Sequence, residues 1–229
     1  MENNYFALLA NDVKKLWNGL DGNQKLGMLA LIVITIIAAT FFLSKAMEPD
    51  WVVLYSDLNL SKGVLKMNYH NITKDDMLNG DGLRVVLWVA GCTHHCQGCQ
   101  NPITWDVTGG ISFDDKAEKE LFEALKEPHV AGITFSGGDP LHPFNREEVF
   151  RLIKKIKQEL PEKNIWLYTG FLWEEIKDIP EIADIDVICE GKFVKELLDN
   201  KKHWVGSSNQ RVVDVKSSLK NNEVVLHNS

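Results

Sequence analysis

The chain has 229 residues, 45% of them hydrophobic and 25% charged, with a formal net charge of −7. That acidic balance argues against a nucleic-acid-binding protein, whose phosphate partner selects basic surfaces. Residues 1–66 hold six basic and six acidic groups, so the whole net charge lies in the remainder.

Residues 26–44 form a run of 19 residues without a charge, bracketed by Lys25 and Lys45. About 20 apolar residues span a bilayer, so one transmembrane helix is expected here. Ser44-Lys45-Ala46 is a passable cleavage site, but the apolar run exceeds the roughly 7–15 residues of a signal peptide. An uncleaved anchor is therefore expected. Lys14, Lys15 and Lys25 precede the span, whereas Glu48 and Asp50 follow Lys45. The positive-inside bias then keeps the N-terminus in the cytoplasm and sends the following segment outside. Over roughly residues 10–60, from Leu16-Trp17-Asn18-Gly19-Leu20 through the span to Trp51-Val52-Val53-Leu54-Tyr55, the chain resembles the N-terminus of the flagellar MS-ring family. The resemblance reaches only the first span and the start of the ring-building region, so it implies no ring assembly.

From Met67 onward the pattern is α/β. Strands are expected at about 83–90, 131–135, 164–169, 185–189 and 211–215, with helices over 114–126 and 145–160. Leu121/Leu125 and Val149/Leu152/Ile153/Ile156 carry the helical spacing. Asn145 with Glu148 reads as a capping box. Strands alternating with helices predict βα units and a largely parallel sheet. The 163 residues of 67–229 leave room for an incomplete barrel, since a full one takes roughly 250.

The chemistry is concentrated at Cys92, Cys96 and Cys99, spaced C-x3-C-x2-C directly after the first of these strands. Three thiolates can hold three corners of a [4Fe–4S] cluster and leave one iron open to a substrate. Zinc is the plainer alternative, with His94 or His95 completing the set, although structural zinc favours two closely spaced pairs. Ser136-Gly137-Gly138-Asp139-Pro140 closes the next strand, where paired glycines serve either a turn or close approach to a ligand. Cys189 lies in an apolar run and reads as a buried hydrophobe, while His142 reads as packed or surface. Trp105 reads equally as a wall beside the cysteines or as core.

Together these motifs resemble the radical S-adenosylmethionine family, and within it the branch that activates the anaerobic ribonucleoside-triphosphate reductase. The resemblance covers residues 67–229 and rests on the cysteine loop with Gly98, on Asn101 and Thr104-Trp105, and on Ser136 through Pro143. Trp166 through Gly170, Gly191-Lys192-Phe193 and Gly206 through Gln210 also carry it. It implies a partial βα barrel whose open side admits a protein glycine loop. It implies Cys92, Cys96 and Cys99 as cluster ligands, with S-adenosylmethionine on the open iron. Gly98, Cys99, Gln100, Gly137 and Gly138 would line its methionyl part, and Thr169 its sulfonium or ribose region. Asp139 would either anchor its amino group or orient the loop. One electron, from a low-potential donor such as a flavodoxin, would cleave the S–C5′ bond to methionine and a 5′-deoxyadenosyl radical. That radical would take a hydrogen from a glycine of the partner reductase.

Such an enzyme, and three reduced thiols, belong in the cytoplasm, which conflicts with export by residues 1–66. The expected organisation is an MS-ring-like segment 1–66, misjoined or acting as an inner-membrane tether, and an activase domain 67–229. The alternatives are an activase of another glycyl-radical enzyme, such as pyruvate formate-lyase, and a membrane-anchored flagellar fragment with an inactive passenger.

Overall fold

The computed structural model describes residues 66–228, together with 21 and 22. The chain divides into two units, Met1–Val64 and Leu65–Ser229, and the elements below all belong to the second. The expected span at 26–44 and the MS-ring-like segment lie outside the described residues. Among the described residues no helix is long and apolar enough to cross a membrane.

The second unit is α/β, built on one seven-stranded sheet. Its strands are β1 (Asn68–Asp76), β2 (Arg84–Val89), β3 (Ile111–Ser112), β4 (Gly132–Gly137), β5 (Asn164–Thr169), β6 (Val187–Glu190) and β7 (Arg211–Asp214). They lie in the order β3-β1-β2-β4-β5-β6-β7. Only β2-β4-β5-β6 are mutually parallel; β1 pairs antiparallel with both β2 and β3, and β7 pairs antiparallel with β6. The expectation of a largely parallel sheet thus holds for the centre and fails at both edges.

The helices are α1 (Asp115–Leu125), α2 (Arg146–Glu159), the short α3 (Trp173–Ile176) and α4 (Val215–Asn221). Asp114 caps α1, its carboxylate accepting from the Lys116 and Ala117 amides at 3.0 Å. Leu121 and Leu125 of α1 and Leu152, Ile153 and Ile156 of α2 pack in one core with Leu87, Ile133, Phe135, Ile165 and Leu167. Alternation along the strands turns the other set to the opposite face, where Trp166, Val187 and Cys189 form a second, smaller cluster with Val205.

Arg84 begins β2 fully buried, a placement that costs much unless every donor is met. Its guanidinium donates to Thr134 Oγ1 at 2.7 Å, Asn164 Oδ1 at 2.6 Å and the Ile133 carbonyl at 2.6 Å. It also lies 5.3 Å from the Trp166 ring, and burial pulls its pKa down to about 10. One side chain thus ties the N-terminal ends of three parallel strands together.

The same strands meet backbone to backbone at Gly132, where an added Cβ would lie 1.9 Å from the Asn164 carbonyl oxygen. Gly132→Ala is therefore expected to destabilise the fold by about 3 kcal/mol. The check is the denaturant midpoint at unchanged m-value; an unaltered midpoint would contradict the close β4–β5 approach.

Candidate active site

The cysteine loop leaves the C-terminal end of β2 and is held there by short backbone bonds. The Gly91 amide donates to the Thr104 carbonyl at 2.7 Å, and the Cys92 amide to the Trp105 carbonyl at 3.0 Å. The loop then turns back through left-handed backbone at His95 (φ 45°) and Gly98 (φ 75°), a conformation that favours glycine. All three thiols are free and half-buried. The Asn101 amide donates to Cys99 Sγ at 3.4 Å, a contact that stabilises a thiolate and tunes a cluster bound to it. Burial pushes the Cys92 thiol up, while the His94 and His95 amides pull it down.

Cys92, Cys96 and Cys99 line a cavity of about 350 Å³ together with Gln100, Gly137, Gly138, Asp139 and Thr169. The structure thus brings those sequence-expected residues to one place. Among the described residues no group of three or more His, Cys, Asp or Glu is placed to hold a single metal ion. A multi-iron cluster asks for less convergence, because each thiolate takes a separate iron. The triplet fits a cluster, and the single-ion zinc reading has no site among these residues.

Asp139 sits 1% exposed at the centre of the strand ends. Its Oδ1 accepts from the Leu141 amide at 2.8 Å. Its Oδ2 accepts from the Gly170 amide at 3.0 Å and from His94 Nε2 at 2.7 Å, and Thr169 Oγ1 lies 3.0 Å from both oxygens. Of the two sequence readings of Asp139, loop orientation is the one its hydrogen bonds serve. Thr169 likewise spends its hydroxyl on Asp139 and on accepting from the Phe171 amide at 3.2 Å. The His94 ring packs edge-on to Phe171 and directly over Gly170, where a Cβ would lie 2.3 Å from Cδ2. His94 is thus a link between loops and not the metal ligand that the zinc alternative required.

Two further expectations change. Asn145 makes no capping bond to α2; its Nδ2 reaches the Ala90 carbonyl at 2.8 Å and the Asp139 carbonyl at 3.0 Å, joining the β2 and β4 ends. Gly138 is required by the protein itself, since a Cβ there would meet the Gly91 carbonyl oxygen at 2.4 Å. His142 is buried, and that burial lowers its pKa. Cys189 is buried as expected, its thiol pushed up to about 12. Trp105 lines the cavity and packs against the His95 ring, which favours the wall reading.

The far motifs have a physical role that spacing alone does not reveal. Gln210 Oε1 accepts from the Gly206 amide at 3.0 Å and the Ser207 amide at 3.1 Å, while its Nε2 donates to the Gly191 carbonyl at 2.9 Å. Asn209 Nδ2 reaches the Lys192 carbonyl at 2.9 Å. The β6–β7 connection is thereby clamped as a wall of the cavity.

The cysteine triplet and the glycine-rich strand ends thus meet around one cavity. Residues 78–213 match the family described as a 4Fe-4S single cluster domain. The chain is 47% identical over 146 residues, 64% of its own length, to an anaerobic ribonucleoside-triphosphate reductase-activating protein of Enterobacteria phage T4, covering 93% of that protein. It is 41% identical over 150 residues to the protein of the same name in Escherichia coli and 40% identical over 148 residues to that of Haemophilus influenzae, covering 97% and 96% of them. This chain belongs to the family of anaerobic ribonucleoside-triphosphate reductase-activating proteins.

Removing the Asp139 carboxylate would leave four donors from three loops without their acceptor. Asp139→Ala is expected to lower apoprotein stability by about 3 kcal/mol and to weaken iron retention about tenfold. Unfolding midpoints and iron per chain after anaerobic reconstitution report the two effects. Wild-type values for both would contradict the role assigned to Asp139.

Proposed function

We propose that this chain is a radical S-adenosylmethionine activase that installs the glycyl radical on the anaerobic ribonucleoside-triphosphate reductase. The observation that carries the reading is the open triplet of Cys92, Cys96 and Cys99 at the rim of one cavity with Gly137, Gly138 and Asp139. Bound together, the cluster and S-adenosylmethionine supply one-electron S–C5′ cleavage and, through the 5′-deoxyadenosyl group released, removal of a hydrogen atom from a reductase glycine.

The protein's own contribution is placement. Cys92, Cys96 and Cys99, as thiolates, would hold the cluster, supplying one ligand fewer than its four irons. Gly98, Gln100, Gly137 and Gly138 line the methionyl part. Asp139 and Thr169 fix the loops that shape this end, and Trp105 screens it from water. We read the open sheet, with its antiparallel edges, as an incomplete barrel that leaves a side free for a protein substrate. The working unit is residues 67–229, placed in the reducing cytoplasm, where a low-potential donor such as a flavodoxin supplies the electron.

The test uses the full chain, reconstituted anaerobically with iron and sulfide. About four irons per chain are expected, with reductant-dependent conversion of S-adenosylmethionine to 5′-deoxyadenosine. Both should be lost in Cys96→Ala. A fully loaded cluster that yields no 5′-deoxyadenosine would overturn the reading.

A further inference from the structure

The cavity extends well beyond its cysteine rim. Trp204 packs edge-on against Trp166 at 5.8 Å, and Trp166 pairs in register with Thr134 of β4. The lining pair Tyr168 and Cys189 lies across β5 and β6 one residue before Thr169, or about 3 Å further down the strands at roughly 3.3 Å per residue. Leu78, Asn79, Tyr168, Cys189, Trp204 and Val205 line this deeper part. None of the six carries a charge at neutral pH. Leu78 is 80% exposed, so the cavity reaches the surface beside it.

Two buried polar atoms here are poorly satisfied. Trp204 Nε1 has no hydrogen-bond partner among the described residues, and Tyr168 Oη has only the Cys189 thiol, a weak acceptor. Buried donors are nearly always met, so each exception calls for an explanation. Trp204 also holds a φ of 65°, strained backbone for a bulky aromatic residue of the kind that collects at functional positions. The indole N–H can only donate, and Arg84, the cation that acts on Tyr168 and Cys189, already spends its donors on Thr134, Asn164 and the Ile133 carbonyl. The occupant that satisfies them is uncharged and rich in carbonyl acceptors.

Resting on the activase reading above, we infer that Tyr168 and Trp204 receive the glycine-bearing segment of the reductase, donating hydrogen bonds to its backbone carbonyls. A polypeptide presents such acceptors at every residue, and a glycine segment brings no side chain to collide with the two rings. Leu78, with Met77 beside it at 69% exposure, forms the apolar lip over which that segment enters. Tyr168 and Trp204 are positioning residues: they hold the target glycine while the cysteine end performs the chemistry.

The experiment compares the full chain with Tyr168→Phe and Trp204→Phe, each removing a donor while keeping an aromatic ring. Initial rates of glycyl-radical formation are followed by electron paramagnetic resonance while the reductase and S-adenosylmethionine are varied in turn. Each variant is expected to raise the apparent KM for the reductase about fivefold, the worth of one net hydrogen bond. The KM for S-adenosylmethionine is expected to change less than about twofold on the same scale. Tyr168→Phe is nearly isosteric, so it tests the inference even if Trp204→Phe folds poorly. An unchanged reductase KM in Tyr168→Phe would overturn the inference. So would a rise in the KM for S-adenosylmethionine, which would assign these donors to the cofactor. Failure of the unsubstituted chain to form the radical at all would instead overturn the activase reading, and this inference with it.

Discussion

Four donors converge on the buried Asp139 carboxylate, and they come from three separate strand ends. Without them the group would be an unmet charge in the interior, costing several kcal/mol. With them it fixes how the cysteine loop, the Gly137-Gly138 turn and the Thr169-Gly170 turn sit against one another. The rest of the site follows from that constraint. Gly170 must lack a side chain because His94 lies over it, and Gly138 because Gly91 does. Asn145 then ties the same turn to the end of β2 from beneath.

On the proposed reading, one cavity carries two tasks. The cysteine end is rimmed by loops and held by Asp139; the other end carries Tyr168 and Trp204 and is framed by the clamped β6–β7 connection. The antiparallel edge strands matter here too, because they end the sheet instead of closing it.

Much of this was legible in the sequence. The central strands and the two long helices announced themselves by apolar runs and helical spacing, and the cysteine triplet by its spacing. What stayed hidden has physical causes. β1 reads Asn-Tyr-His-Asn-Ile-Thr-Lys-Asp-Asp and buries only Tyr69 and Ile72, so no periodic signal marked it. Nothing local marked Arg84 as buried, because the cross-strand partners Thr134, Asn164 and Ile133 lie 49 or more residues away. Asn145 imitated a helix cap because capping and loop-bridging use the same amide. His94 was weighed only as a metal ligand, since its bond to Asp139 spans 45 residues and leaves no local trace.

The central claim is that this site, organised around Asp139, delivers a hydrogen-abstracting group to a protein glycine. The most direct measurement incubates the cluster-loaded chain, reductant and S-adenosylmethionine with the anaerobic ribonucleoside-triphosphate reductase, then records the electron paramagnetic resonance spectrum of the separated reductase. The account predicts a glycyl radical on the reductase that depends on all three components. A reductase that stays free of the radical while S-adenosylmethionine is cleaved would contradict it.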